Sequence, residues 1–279
     1  MRFTKMHGLG NDLIMINGFV ETLPADINSY VEKICRRHLG IGADGVVILV
    51  KPNGPEAVAR YLFYNSDGTQ AGMCGNGVRC AALFAKREGI TDCCEFAFEV
   101  QDGLVYPHII DEEQQIVQVD MGVPRLLPEE IPAVFSGNRV VNAKMAVQSR
   151  EFNVTLVSMG NPHCIIFVDD VDSFPVEKIG SQIETHSLFP AKTNVEFIQL
   201  MGDNKLKMRV WERGCGETLA CGSGACAATV AAILNGYVSD RAEVYLRHGL
   251  LNIEWMKNGH VYMTGPAAFV AEGTVLLDL

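Results

Sequence analysis

The chain has 279 residues, 48% of them hydrophobic, and a net charge of −10. At about 150 residues per domain this predicts roughly two lobes, with enough buried surface to fold without a disulfide or metal staple. The acidic balance argues against a nucleic-acid partner, which needs basic patches to neutralise phosphates, and favours a small-molecule one.

The nine cysteines are odd in number and form no CxxC pair or zinc-finger spacing, which fits a reducing cytosol better than an oxidising compartment. The first ten residues lack an apolar core of signal-peptide length, and no apolar run approaches the ~18 residues a membrane span needs. The expectation is a cytoplasmic protein without membrane association.

Hydrophobic periodicity and turn signals predict elements in this chain order: a helix over 26–37, strands over 46–50 and 58–64, a helix over 76–88, and strands over 95–100, 104–110 and 115–120. A boundary marked by Pro124, Pro128 and Pro132 follows. Beyond it lie a strand over 164–168, a helix over 176–185, strands over 195–200 and 206–211, a helix over 223–234, and strands over 243–246, 250–255 and 274–277. Helices are too few for βαβ alternation, so the fold class is α+β. Thirteen of the 27 glycines fall in the short stretches 6–12, 40–45, 65–77 and 214–224, which are read as site loops.

The two halves repeat one another. Cys74-Gly-Asn-Gly77 and Cys221-Gly-Ser-Gly224 share a CGxG start and an Ala-rich continuation, and each cysteine has a glycine 15 residues on, Gly89 and Gly236. Ten residues before each stands an aromatic followed by a polar residue, Tyr64-Asn65 and Trp211-Glu212. Gly10-Asn11 mirrors Gly160-Asn161, and 33 residues beyond each asparagine stand Asp44 and Asn194. Such a set of spacings implies two copies of one unit related by a pseudo-two-fold axis. The helices that CGxG opens have no polar face: 78–85 is nearly all apolar and 225–234 carries no charge. Both must be buried, which predicts two pseudo-symmetric lobes, each a mixed sheet wrapped around a central helix whose N-terminal cysteine faces a cleft between the lobes.

A cysteine at a helix N-terminus sits among unsatisfied N–H groups, which lowers its pKa from about 8.5 to roughly 3.5–7.5. For one CGxG alone, a small buried residue beside a tight turn is an equal reading. Two copies at equivalent points favour function, because Cys74 and Cys221 together supply what racemisation needs, a base on one face of a carbon and an acid on the other. Amides at Gly75, Asn76, Gly222 and Ser223 are placed to bind charge building on a carboxylate, so no cofactor or metal is required. Glu212 and Arg213 offer an anion for an ammonium and a cation for a carboxylate, or else form a surface ion pair. Asn11, Asn65, Asn161 and Asn194 add donors and acceptors, or else serve turns. His163 has a supporting or a catalytic role. The remaining cysteines are read as structural. Gly40-Ile-Gly-Ala-Asp-Gly45 fits GxGxxG but leads into a strand, the reverse of the dinucleotide context.

Together, Met6-His-Gly-Leu-Gly-Asn-Asp12, Gly40-Ile-Gly-Ala-Asp44, Tyr64-Asn-Ser-Asp-Gly68, Cys74-Gly-Asn-Gly77, Gly160-Asn-Pro-His163, Glu212-Arg-Gly-Cys-Gly-Glu-Thr218, Ala220-Cys-Gly-Ser-Gly-Ala225 and Met263-Thr-Gly-Pro266 resemble the diaminopimelate epimerase family from end to end. The resemblance implies a cofactor-independent, two-thiol interconversion of LL- and meso-2,6-diaminopimelate in lysine and peptidoglycan-precursor synthesis. It implies Cys74 and Cys221 as the catalytic pair. Asn11, Asn65, Asn161, Asn194, Glu212 and Arg213 then bind substrate, Gly75-Asn76 and Gly222-Ser223 hold the reacting carboxylate, and His163 lies near the α-ammonium or the thiols. Gly45 departs from members that carry a glutamine there. The resemblance also implies an N-terminal lobe of residues 1–121 rejoined by 267–279, a C-terminal lobe of 122–266, and a homodimer. Two other readings stay open on the residues: a different amino-acid racemase of the same fold, and a thiol redox or small-anion-binding protein.

Overall fold

A computed structural model describes residues 1–101 and 103–276. The chain divides into two compact units, Met1–Asp120 with Thr264–Leu279, and Met121–Met263.

The first unit opens with β1 (Arg2–Gly8), β2 (Asn11–Asn17), α1 (Ile27–Cys35), β3 (Gly45–Val50), β4 (Ala59–Asn65), β5 (Gln70–Ala71) and α2 (Gly75–Arg87). It continues through β6 (Phe98–Val100), β7 (Gly103–Val105), β8 (Pro107–Asp111) and β9 (Ile116–Asp120). The second carries β10 (Ala143–Val147), β11 (Arg150–Ser158), β12 (Pro162–Phe167), α3 (Val176–Glu184), β13 (Asn194–Gly202), β14 (Lys205–Glu212), β15 (Gly216–Thr218), α4 (Gly222–Leu234), β16 (Arg241–Leu246) and β17 (Gly249–Trp255). β18 (Val261–Pro266) leads the chain back to the first unit, where β19 (Ala268–Thr274) pairs with β1.

The predicted α+β class holds, and the repeat is a repeat of topology. In the first unit the order is β19-β1-β2-β3-β4-β6-β7 with β5 on β4; in the second it is β10-β11-β12-β13-β14-β16-β17 with β15 on β14. Each pair also keeps its sense: β2 with β3 and β12 with β13 are parallel, as are β4 with β6 and β14 with β16. The C-terminal strand β19 thus fills the place in the first sheet that β10 fills in the second.

Each sheet is covered on both faces, which explains its continuous apolar strands, such as Gly-Val-Val-Ile-Leu-Val in β3. On one face Ile14, Ile16, Val46 and Ile48 pack with Tyr30, Val31 and Ile34 of α1. Alternation turns Leu13, Met15, Val47 and Leu49 to the other face, where β2 and β3 contact α2. The second unit does the same, with Ile179 and Ile183 of α3 against Leu156, Cys164, Ile166, Val195 and Phe197, and with α4 against β11, β12 and β13 on the opposite face. Residues 75–85 of α2 are buried throughout, as are Gly222 and 224–232 of α4. Both helices end alike: Gly89 (φ +68°) and Gly236 (φ +74°) take the left-handed conformation that lets Ile90 N reach Ala85 O and Tyr237 N reach Ala232 O, both at 2.9 Å.

Several sequence expectations are corrected. Residues 6–12 are not a loop but the ends of a hairpin, β1 and β2, turning on Leu9 (φ +57°) and Gly10 (φ +91°). The strand expected over 104–110 breaks at Tyr106 into β7 and β8. The one expected over 274–277 lies earlier, as β19, because the run is anchored by pairing with β1; Leu277 lies outside the described residues. β10 and β11, absent from the sequence reading, alternate polar and apolar residues around Asn153 and Lys144. None of the nine cysteines forms a disulfide; Cys93, Cys94 and Cys215 are exposed, and Cys94 Sγ accepts a hydrogen bond from Lys86 Nζ at 3.1 Å.

Candidate active site

Cys74 and Cys221 occupy the same local structure. Each is the N-cap of its buried helix, with φ −124° and ψ +118° at Cys74 and φ −123° and ψ +110° at Cys221, and neither side chain caps the helix. Their carbonyls accept the first helical hydrogen bonds, from Val78 N at 2.8 Å and Ala225 N at 3.0 Å. Neither side chain is spent on a cap, and Gly75-Asn76 and Gly222-Ser223 present the orphan amides of the first turn beside them.

In the first unit the Cys74 thiol is partly exposed and donates to Asn11 Oδ1 at 3.7 Å, which also accepts from Asn76 Nδ2 at 3.4 Å. Asn11 is held from behind: its Nδ2 donates to Asp44 Oδ2 at 3.1 Å, and Asp44 joins Asp12, Arg37 and Lys5 in one charged cluster. Burial works against the Asp12 charge, but hydrogen bonds from Arg37 and Lys5 outweigh it and hold the carboxyl at about 2. Burial and the neighbouring Asp12 charge raise Asp44. Asn76 Oδ1 accepts from the fully buried Arg79 at 2.9 Å, and Arg79 also donates to Pro266 O at 3.2 Å, tying the first turn of α2 to the returning chain. Asn65, at the end of β4, donates to Thr69 Oγ1 at 3.1 Å.

In the second unit Cys221 is buried and sits 3.5 Å from Ser223 Oγ. Asn161 Nδ2 donates to that same Oγ at 3.3 Å, and Asn161 Oδ1 faces His163 Nε2 at 3.0 Å. The other ring nitrogen of His163 meets Glu196 Oε1 at 2.7 Å, both side chains being wholly buried. Glu212 accepts from Thr218 Oγ1. Asn194 gives both ends of its amide to main chain, donating to Pro162 O at 2.8 Å and accepting from Arg213 N at 2.9 Å, and the Arg213 guanidinium donates to Ala191 O at 3.1 Å. Asn194 thereby joins the loop carrying Asn161 to the turn carrying Glu212 and Arg213.

Two expectations fail here. Burial pushes the Cys221 thiol well above its ordinary value, and the Glu212 and Glu196 carboxylates push it further, outweighing the helix N-terminus that was expected to lower it. Burial likewise raises Glu212, against hydrogen bonds from Thr218 and Cys221. The equal spacing of Asp44 and Asn194 is a coincidence: sheet register sets Leu13 opposite Gly45 and His163 opposite Asn194, so the counterpart of Asn194 is Gly45 and that of Asp44 is Thr193. Asn65 and Glu212 do correspond, since Tyr64 pairs with Val46 as Trp211 pairs with Val195. Glu196 was not singled out from sequence, and its signal was there: a carboxylate inside the apolar strand Asn194-Val-Glu-Phe-Ile198.

The two duplicated sheets, each with a buried helix on one face, make a class of fold that solved structures share across the whole chain. A phenazine biosynthesis protein of the PhzF family from Enterococcus faecalis has a TM-score of 0.70 at 14% identity, covering 99% of each chain. A hydroxyproline epimerase from Agrobacterium vitis, solved with trans-4-hydroxy-L-proline, has a TM-score of 0.67 at 15% identity, covering 98% of this chain and 91% of that one. Within that class the chain belongs to the diaminopimelate epimerase family, whose model matches residues 3–127 and 155–270. The diaminopimelate epimerase of Pelotomaculum thermopropionicum is 47% identical over 276 residues, covering 98% of both chains.

Proposed function

We propose that this protein is a cofactor-independent isomerase that epimerises diaminopimelate, with Cys74 and Cys221 as its two proton carriers. One sulfur takes the α-proton as the C–H bond breaks; the other sulfur gives its own proton to the opposite face of that carbon as its S–H bond breaks. Atoms and charge balance, and the enzyme ends with its proton on the other thiol, as a two-base mechanism requires. The negative charge that builds on the substrate carboxylate is taken by the first-turn amides at Gly75, Asn76, Gly222 and Ser223. Glu212 and Arg213 serve the ammonium and carboxylate of the amino acid, with Asn11, Asn65 and Asn161 completing its hydrogen bonds. Asn194 contributes its remaining amide proton, and His163 supports the site from behind Asn161. In this reading the raised Cys221 thiol is the carrier that holds the proton at rest.

The observation that carries the reading is the near-identity of the two N-cap cysteines, alike in backbone conformation and in not capping their helices, in copies of one topology. Incubation with LL-diaminopimelate in heavy water tests it: α-deuterium should appear together with the meso isomer. Cys74→Ser or Cys221→Ser should each slow epimerisation by orders of magnitude while leaving the unfolding midpoint near its native value. Near-native turnover in either would remove that thiol from the mechanism. A cytoplasmic setting belongs to the same reading, supported by nine free cysteines, as does a homodimer, which sedimentation velocity decides.

A further inference from the structure

The buried pair His163–Glu196 has no counterpart in the other half of the molecule. Sheet register matches His163 with Leu13 and Glu196 with Val47, both wholly buried and apolar. A buried ion pair is poor stabilisation, because desolvating two charges cancels most of their attraction, and apolar residues of similar size usually serve the fold as well or better. The first unit shows that this fold accepts such residues at both places. Packing therefore does not account for the pair.

Its geometry points toward the Cys221 thiol. Both ring nitrogens of His163 face oxygens, Glu196 Oε1 at 2.7 Å and Asn161 Oδ1 at 3.0 Å, so the ring satisfies both by carrying two protons. With Asn161 Oδ1 occupied, its Nδ2 faces Ser223 Oγ, whose own O–H is then left for Cys221 Sγ at 3.5 Å. The second oxygen of Glu196 is buried without a hydrogen-bond partner, and the carboxylate reaches the first turn of α4 only because residue 224 is glycine: a Cβ there would lie 2.7 Å from Glu196 Oε1.

We propose that Glu196 is a positioning residue for the epimerisation, holding His163 as an imidazolium that fixes the Asn161 amide and, through Ser223, presents a hydrogen bond to Cys221. This rests on the proposed role of Cys221. The titratable groups around the ring are Glu196 on β13, Glu212 on β14, which feels the His163 charge, the neighbouring Cys164 on β12, which feels Glu196, and Cys221 at the head of α4. The O–H of Ser223 favours the thiolate that burial and the two carboxylates disfavour, so removal of Glu196 should slow the chemical step more than substrate binding.

Three measurements test this. Nitrogen-15 spectra of the histidine rings, with His163 assigned by His163→Asn, should show a proton on both of its nitrogens in the native protein and on only one in Glu196→Gln. The kcat of Glu196→Gln should fall about 10- to 100-fold, the worth of one hydrogen bond to a charged group, with KM little changed. The double variant His163→Leu/Glu196→Val, which copies Leu13 and Val47, should be at least as stable as the native protein yet show a similar loss of kcat. A singly protonated His163 in the native protein, or native kcat in the double variant, overturns the proposal. The ring-nitrogen reading needs no substrate, so a native protein inactive on diaminopimelate would instead overturn the functional reading.

Discussion

Gly77→Ala tests how tightly the floor beneath Cys74 is built. An added Cβ would lie 2.3 Å from Tyr61 Oη, about 1.1 Å short of the 3.4 Å at which ordinary contact begins, while Val47 Cγ2 at 3.4 Å and Cys74 Cβ at 3.5 Å already touch comfortably. The Tyr61 ring has little room to retreat: it is 2% exposed, stacks on Phe63 at a centroid distance of 6.5 Å and meets the tilted ring of Phe98 at 6.3 Å. Overpacking of this size costs about 1–3 kcal/mol. Against it stands a helix-propensity gain of about 1 kcal/mol for replacing glycine inside α2. The net effect is a destabilisation of about 0–2 kcal/mol. Tyr61→Phe removes the obstructing oxygen, so in that background only the propensity gain survives and Gly77→Ala should stabilise by up to about 1 kcal/mol. Urea unfolding of the four proteins, compared at equal m, measures the coupling, expected at about 1–3 kcal/mol. If Gly77→Ala costs the same with and without the hydroxyl, the contact with Tyr61 is not what makes glycine necessary.

Arg79→Met should destabilise by about 2 kcal/mol, roughly 1 kcal/mol for each of the guanidinium hydrogen bonds lost at Asn76 Oδ1 and Pro266 O, since Gly75 O keeps its helical bond to the backbone N–H of residue 79; a loss below about 0.5 kcal/mol in urea unfolding would mean these bonds are readily replaced. Asp44→Ala should lower kcat about tenfold by releasing Asn11 Nδ2 and with it the oxygen facing Cys74, at little change in thermal midpoint, because the Arg37 pair it breaks is at the surface; unchanged kcat would refute that role for Asp44. Stability should fall in alkali. Burial pushes Cys80 up to about 12 from 9.0, so its contribution is intact below pH 9 and is lost as pH rises towards 12. Cys80→Ala should flatten the decline of the thermal midpoint above pH 9, and an unaltered slope would exclude this thiol as its source.

The sequence made the duplicated core legible because two signals coincide there: apolar helices without a polar face, and cysteines at fixed spacing from aromatic-polar pairs. All four helices fall within two residues of their expected ends. Strands whose partners come from distant sequence were less readable. β1 and β2 carry the glycines and charges of a loop, yet pairing with β19 and β3 makes them strands. Spacing alone also misled, since counting 33 residues from each asparagine pairs Asp44 with Asn194, whereas the ladder shifts them by one place. The proton affinity of Cys221 was out of reach for a different reason. A helix N-terminus can be seen in sequence, but the depth of burial and two carboxylates arriving from β13 and β14 cannot.

Duplication gives Cys74 and Cys221 the same backbone, and divergence beneath them gives each sulfur different neighbours. Under Cys74 the equivalent places hold Leu13, Val47 and Tyr61, and the asparagine beside the sulfur is steadied by a charged cluster at the surface. Under Cys221 they hold His163, Glu196 and Met208, and the asparagine is steadied by a buried pair. In both copies the glycine at the third helical position is what lets these groups close up, against Tyr61 Oη in one and Glu196 Oε1 in the other. The difference shows at the second sulfur, where burial and the carboxylates of Glu212 and Glu196 together push the Cys221 thiol well above its ordinary value, against the hydrogen bonds it makes at the head of α4.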